Sequence, residues 1–356
     1  MTPIIKIVGD YCNLRCNYCF YHHKEQQVKT IMDIDLLEKF IEQYLELFDG
    51  KLRFNWHGGE PLLAGIPFFE SIIQLQEKYI KNTQKIVNSI QTNATLINKK
   101  WATFFKRHNF EVGVSLDGIE KCHNRFRKNI AGKGSFKSTV RGIKILQDQN
   151  VPIGNLQTLT HSNIPLAEEN FKFFVDALGL KQICTCIYIS SDKSCILGEE
   201  VTDKDFTEFL KTAVDFWLHR DDPDLEIREI ENLFAGANGK LASLCGFNGT
   251  CTAFFCLEYN GKVYPCDRVS NREEFCFGDL SKDSLKNILN SQERLNWAQM
   301  ANFLHRDCLR CAWKNACHNG CTDSRSPEGK YRFCDTRRTI LDYLKNLIER
   351  RRKKKN

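Results

Sequence analysis

Apolar positions along the first 220 residues follow two rhythms. Short runs at 4–8, 52–56, 86–91, 112–116, 153–159 and 183–189 have the length and flanking turns of buried strands. Between them, apolar residues recur at helical spacing over 33–48, 68–79, 98–108, 135–149, 166–178 and 203–219. In the first of these the stripe is Ile34, Leu37, Phe40, Ile41, Tyr44, Leu45 and Phe48, and Asp35 with Glu38 three residues on reads as a capping box. Six strand–helix units in strict alternation predict an α/β fold with a parallel sheet, closed or partly closed into a barrel. In such folds chemistry sits at the C-terminal ends of the strands.

The rhythm fails near residue 240. From Cys245 to Cys334 the chain is rich in Cys, Gly and Asn, its elements are short, and metal cross-links are expected to replace burial as the source of stability. A helix closes the chain over 340–350. The expected division is a barrel over 1–220, a linker over 221–240, a cysteine-rich domain over 241–345 and a basic tail over 346–356.

Composition narrows the class. At 356 residues, 42% hydrophobic and 27% charged, the chain is that of an ordinary globular protein with ample core. No apolar run approaches the about 18 residues of a membrane span, and the N-terminus lacks the features of a signal peptide, so a cytoplasmic location is expected. There, 17 cysteines point to metal or redox chemistry and away from disulfides. The net charge of +7 is concentrated in six consecutive cations at 350–355, which leaves about +1 for the rest of the chain. With no basic face on the body, a nucleic-acid partner is not expected, and the tail reads as a solvated end.

The candidate chemistry begins just after the first strand. Cys12, Cys16 and Cys19 lie in one tight loop, Asp10-Tyr-Cys-Asn-Leu-Arg-Cys-Asn-Tyr-Cys-Phe-Tyr21. Iron–sulfur clusters are normally held by four thiolates, so three leave one iron open to a small molecule; a zinc loop is the alternative. After the second strand comes Trp56-His-Gly-Gly-Glu-Pro61, where two glycines allow close backbone approach and Glu60 can accept from an ammonium. After the third and fourth come Gln91-Thr-Asn-Ala-Thr95 and Ser115-Leu-Asp-Gly118, followed by Arg127. The spacing of the three cysteines, Phe20 behind them, and these elements in order resemble radical S-adenosylmethionine (SAM) enzymes. The resemblance implies a partial (β/α)6 TIM-type barrel. It also implies a four-iron cluster on Cys12, Cys16 and Cys19, and cofactor contacts from Phe20, Gly58, Gly59, Glu60, Asn93, Ser115, Asp117 and Arg127.

A second constellation is Cys245-x5-Cys251-x14-Cys266, then Cys308-x2-Cys311-x5-Cys317-x3-Cys321-x12-Cys334. Eight thiols suffice for two fully ligated four-iron clusters, with a pair of zinc sites as the alternative. The pattern resembles the twin-cluster SPASM extension, a small domain with little regular structure. By that resemblance Cys245, Cys251, Cys266 and Cys321 hold one auxiliary cluster, and Cys308, Cys311, Cys317 and Cys334 the other. Asp267, after Cys266, corresponds to the proton-accepting aspartate of sulfatase-maturing relatives; the alternative is a turn-capping residue. His57 is a second catalytic candidate, or a packed turn residue. Cys122, Cys184, Cys186, Cys195, Cys256 and Cys276 read as small apolar fillers.

Two branches of the family compete. The cysteine motifs resemble anaerobic sulfatase-maturing enzymes, which oxidise Cys or Ser to formylglycine and usually carry Gln where this chain has His57. Trp56–Gly65 and the segment from Arg127 to Gly132-Lys-Gly-Ser-Phe136 resemble maturases of ribosomal peptides that form cyclophane crosslinks. The expected activity is therefore radical-initiated crosslinking of a precursor peptide, with formylglycine formation as the alternative and a non-catalytic iron–sulfur electron carrier behind both. The expected cofactors are SAM and three [4Fe–4S] clusters. The expected partners are a peptide or protein substrate and a flavodoxin- or ferredoxin-type electron donor.

Overall fold

The structure, a computed structural model, describes residues 1–19, 21, 29–189, 196, 198–270 and 272–355. Among the described residues ten strands follow in chain order: β1 (Thr2–Lys6), β2 (Lys51–His57), β3 (Lys85–Thr92), β4 (Glu111–Ser115), β5 (Ile153–Leu159), β6 (Gln182–Ile187), β7 (Glu226–Ile227), β8 (Phe254–Glu258), β9 (Lys262–Tyr264) and β10 (Gly278–Asp279). Contacts divide the chain into two compact units. The first comprises Met1–Leu116, His123–Gly154 and Thr252–Ala298; the second comprises Asp117–Cys122, Asn155–Cys251 and Gln299–Asn356.

In the first unit the strand order is β10-β9-β8-β1-β2-β3-β4. β1 to β4 run parallel, as the alternating pattern predicts, and β8 joins β1 in parallel with Lys6 opposite Glu258. β8, β9 and β10 form an antiparallel ribbon; its short strands lie in the stretch where cysteines and turn residues hide any period-2 pattern. Helix Ile34–Leu47 buries Leu37, Phe40, Ile41, Tyr44 and Leu45, but Ile34 is exposed. Its cap is Asp33, whose carboxylate accepts from the Asp35 and Leu36 amides, so the expected box at Asp35 and Glu38 does not form. Glu38 instead accepts from Lys78 and Tyr79.

The core of this unit is aromatic. Phe40, Tyr44, Phe54 and Phe255 meet ring to ring, and Trp56 continues the stack toward Phe69 and Trp101. Each such side chain contributes about 1.5–3 kcal/mol by leaving water. Polar tips in the stack find partners: Trp56 Nε1 donates to Asn88, which also pairs with Gln76, and the Tyr44 hydroxyl donates to the Met1 carbonyl.

The second unit carries β5 from Asn155 on, together with β6 and β7. The helical pattern at 166–178 breaks into a 3₁₀ turn His161–Leu166, an α-helix Ala167–Lys172 and a π-turn Phe173–Ala177. Pro165 lies inside the first piece, where its missing N–H and fixed φ favour a tighter turn. Phe171 packs on Phe209 and Phe216 of helix Asp203–Arg220, which Thr202 and Asp205 close with a capping box. The C-terminal helix spans Cys334–Lys355, longer at both ends than the sequence pattern shows. Its basic run continues the helix because Arg and Lys are good helix formers with no Gly or Pro to stop them.

Candidate active site and cysteine clusters

The loop after β1 is bolted to the turn after β2. Gly59 donates to the Gly9 carbonyl at 2.8 Å and Glu60 to the Tyr11 carbonyl at 2.9 Å. A Cβ at Gly59 would lie 2.2 Å from the Tyr11 oxygen, so only glycine fits there. Farther along, Arg15 donates to the Lys128 carbonyl and Asn17 to that of Phe126. Cys12 and Cys16 are buried and Cys19 half-buried. The Cys12 thiol is pushed upward by burial first, then by Glu60, with Cys16 and Cys19 adding to the rise. Leu14 and Asn93 each aim an N–H at Cys12 Sγ, at 3.4 and 3.8 Å. Three thiols in one loop, two of them acting on the third and N–H donors aimed at its sulfur, suit a thiolate-held cluster.

Glu60 is fully buried, and its carboxylate is bonded by the end of β3 and its own turn. Oε1 accepts from Thr92 Oγ1 at 2.7 Å and the Leu62 amide at 3.1 Å; Oε2 accepts from the Asn93 amide at 2.8 Å. Burial outweighs these donors and pushes the carboxyl up to about 7. Asn93 joins the two loops, donating to Asn13 while its own oxygen accepts from Thr95. Cys12, Gly59, Glu60 and Asn93 are thus brought together. Ser115 accepts from Gln91 at 2.9 Å, and the Arg127 guanidinium lies 5.4 Å from the Tyr18 ring. Asp117 belongs to the second unit, where its buried carboxylate accepts from the Thr158 amide. Phe20 lies outside the described residues.

Lys6 went unnoticed in the apolar run of β1. It stands in register between Glu258 of β8 and His57 of β2, and its side chain is fully buried. The ammonium lies 3.1 Å from Glu258 Oε1, donates to Ser270 Oγ and to the Asp267 carbonyl, and sits 4.3 Å from the centre of the Tyr21 ring. Burial pulls its proton affinity down, but Tyr21, Cys256, Glu258 and Asp267 together hold it well above the usual value. A lone lysine in a buried strand is itself a signal, since Lys is almost never fully buried unless paired. The His57 imidazole is held below its ordinary value by burial, with Asp267 pulling it up and Lys6 down. Its Nδ1 is buried without a hydrogen-bond partner among the described residues.

In the second unit Cys308, Cys311, Cys317 and Cys334 line one cavity of about 360 Å³. Burial, Cys317 and Cys311 push Cys308 upward. Cys334 rises to about 11 by burial, with Lys330 opposing and Cys317 and Cys308 adding. Among the described residues no three His, Cys, Asp or Glu side chains are grouped to hold a single metal ion, whereas four thiols around this volume suit a larger group. Cys245, Cys251 and Cys321 also interact: burial, Cys321 and Cys245 push Cys251 up to about 11, against a hydrogen bond from Thr322. Cys266 belongs to the first unit. Of the other cysteines, Cys122 and Cys256 are buried, Cys184, Cys186 and Cys276 half-buried, and Cys195 lies outside the described residues.

Residues 6–174 match the radical SAM superfamily and residues 245–321 match SPASM, an iron-sulfur cluster-binding domain. A cysteine-type anaerobic sulfatase-maturating enzyme of Clostridium perfringens is 32% identical over 332 residues, 91% of this chain and 90% of that one. A serine-type enzyme of Bacteroides thetaiotaomicron is 30% identical, covering 90% and 82%. The solved native anSMEcpe with bound AdoMet superposes with a TM-score of 0.88 at 30% identity, over 97% of this chain and 98% of that one. The chain belongs to the radical SAM superfamily, among the anaerobic sulfatase-maturating enzymes with a SPASM domain. It is a radical SAM oxidoreductase, and its cofactors are SAM on a [4Fe–4S] cluster together with auxiliary clusters. Its fold is the expected partial TIM-type α/β fold with a SPASM domain and a C-terminal helix.

These similarities overturn the expectation of peptide crosslinking. The peptide-bound SuiB of Streptococcus suis shares the fold alone, at 14% identity and a TM-score of 0.67 over 93% of this chain and 74% of that one. The crosslinking expectation leaned on His57 and short loop motifs, and a few loop positions do not outweigh similarity across nine tenths of the chain. No helix among the described residues is long and apolar enough to cross a membrane.

Proposed function

We propose that this chain oxidises a cysteine or serine side chain of a sulfatase to formylglycine. The observation that carries this reading is that chains named for that maturation, of both cysteine and serine type, align over nine tenths of it. The match to anSMEcpe bound to a Kp18Cys peptide favours cysteine as the substrate residue.

Cys12, Cys16 and Cys19 would hold the cluster that binds SAM, with Gly58, Gly59, Glu60, Asn93, Ser115 and Arg127 around the cofactor. Cys308, Cys311, Cys317 and Cys334 would hold one auxiliary cluster, and Cys245, Cys251 and Cys321 would contribute to the other. When bound, these groups supply a carbon radical that removes a hydrogen atom from the substrate's β-carbon, and a sink for the electron that follows. The chain's own task is to take the remaining proton and keep out water until the oxidation is complete. Asp267 takes that proton as a general base. The buried Lys6 ammonium fixes the turn that carries Asp267 through its backbone carbonyl and Ser270. His57, neutral and with a free Nδ1, orients the substrate's thiol or hydroxyl.

A flavodoxin- or ferredoxin-type protein would supply electrons, in a cytoplasm where thiols stay reduced. The test is anaerobic incubation of the reconstituted enzyme, SAM and a reductant with a sulfatase-derived peptide carrying Cys, Ser or Ala at the target position. Aldehyde in the Cys or Ser peptide is expected. Unchanged Cys and Ser peptides alongside abundant 5′-deoxyadenosine would refute the reading.

A further inference from the structure

The second unit buries a guanidinium among its cysteines. Arg337 follows Cys334 by three residues in the helix Cys334–Lys355, so helical spacing turns both toward the cavity that the four thiols line. It is only 5% exposed. Nη1 donates to the Gly246 carbonyl at 2.6 Å and approaches Cys317 Sγ at 3.9 Å; Nη2 donates to the Tyr331 hydroxyl at 3.2 Å. The guanidinium carbon stands 3.7 Å over the Phe247 ring and 4.8 Å from that of Tyr331.

Its two anchors belong to different cysteine sets. Cys317 is one of the four cavity thiols. Gly246 follows Cys245 directly, and a Cβ in its place would lie 3.7 Å from the Cys321 amide nitrogen and Cβ. The same two segments meet again where His318 bonds the Phe247 carbonyl at 2.9 Å. The groups whose charge acts on Arg337 are Tyr331, Cys317 and Cys321, and among the described residues no carboxylate lies within ion-pair distance of it.

A buried cation is costly unless an opposite charge meets it. Neutral thiols cannot do so. Thiolate-held iron–sulfur clusters can, because they are net negative and become more so on reduction. Net charge and hydrogen bonds to the ligand sulfurs are also what set a cluster's potential. Arg337 touches Cys317 directly but reaches the other set through a carbonyl and through space, so its pull is unequal.

We propose that Arg337 is the shared counter-charge of the two auxiliary cluster sites, and that it raises the reduction potential of the cluster on Cys308, Cys311, Cys317 and Cys334, making it the better electron acceptor of the pair. This rests on the reading that both sets hold clusters. The cation–π contacts with Phe247 and Tyr331 fix the guanidinium in place and exclude water from it.

The test compares reconstituted wild type, Arg337→Gln and Arg337→Lys by iron analysis and by redox titration followed by electron paramagnetic resonance. Wild type and Arg337→Lys are expected to hold about twelve irons, the sum of three four-iron clusters. In Arg337→Gln the one-electron equilibrium of one auxiliary cluster should shift at least tenfold toward the oxidised state, about 59 mV, with Arg337→Lys within threefold of wild type. Iron lost from Arg337→Gln but kept by Arg337→Lys also supports the counter-charge. A Gln variant within threefold of wild type, or iron lost equally from both variants, overturns it. If wild type itself holds about four irons, the cluster reading fails first and this inference with it.

Discussion

Lys6 and His57 are register partners at the C-terminal ends of β1 and β2, and the lysine between Glu258 and His57 is fully buried. A charge in that position is held by its partners, chiefly Glu258 at 3.1 Å. Lys6→Met should destabilise the protein by about 3–5 kcal/mol, because it leaves Glu258 without its cation. Adding Glu258→Gln should restore part of the loss. Denaturant unfolding of the single and double variants checks this; additive losses would show that the pair is not coupled.

The Glu60 carboxyl is pushed up to about 7 by burial, from an ordinary 4.5. Its protonated form is the one the fold favours. Its stability contribution is therefore complete below pH 4.5 and is lost as pH rises through about 7, on the order of 3 kcal/mol in all. Unfolding of the SAM-free protein should show that decline, and Glu60→Gln should flatten it. If the Glu60 carboxylate pairs with the SAM ammonium as proposed, affinity for SAM should rise over the same window in wild type only.

Gly59 allows the two loops to touch. Gly59→Ala would set a methyl 2.2 Å from the Tyr11 oxygen, and backbone cannot yield as a side chain can. The expected outcome is loss of SAM binding by equilibrium dialysis, while the aromatic core around Phe40, Tyr44 and Phe54 keeps the fold intact by circular dichroism.

Asp267→Asn should lower aldehyde formation by about 10²–10⁴-fold, the range for loss of a general base, while 5′-deoxyadenosine is still released. His57 titrates in the opposite sense to Glu60. Burial holds its folded value below 6.5, so its contribution is present above pH 6.5 and is lost as pH falls toward the folded value. His57→Gln should remove that acid-side loss of stability in thermal melts between pH 5 and 7, as roughly one group's worth.

Much of the site was legible because the chemistry dictates residue types and spacing. The three-thiol loop, Gly58 to Glu60, and Asn93 sit at the ends of consecutive strands, and the structure joins them through Gly59, Glu60 and Asn93. Boundaries were less legible. The run at 4–8 predicted a strand to Val8, but β1 ends at Lys6 and Gly9, at φ 56°, turns the chain into the cysteine loop. β8 to β10 were hidden because β8 is a short apolar run, Phe254-Phe-Cys-Leu257, with no alternation, and β9 and β10 are only three and two residues long. Lys6 and Arg337 were missed for one reason: their partners lie far off in the chain, at Glu258 and Gly246. The preference for crosslinking failed differently, by weighing His57 above the rest of the sequence.

The most direct test of the account is the fate of one hydrogen. A sulfatase-derived peptide with deuterium on the β-carbon of its target cysteine is incubated anaerobically with the reconstituted enzyme, SAM and a reductant, and both products are weighed by mass spectrometry. The account predicts deuterium in 5′-deoxyadenosine, and a peptide in which oxygen has replaced sulfur with loss of two hydrogen positions. 5′-Deoxyadenosine without deuterium, or a product that has lost two hydrogens but kept its sulfur, would contradict it.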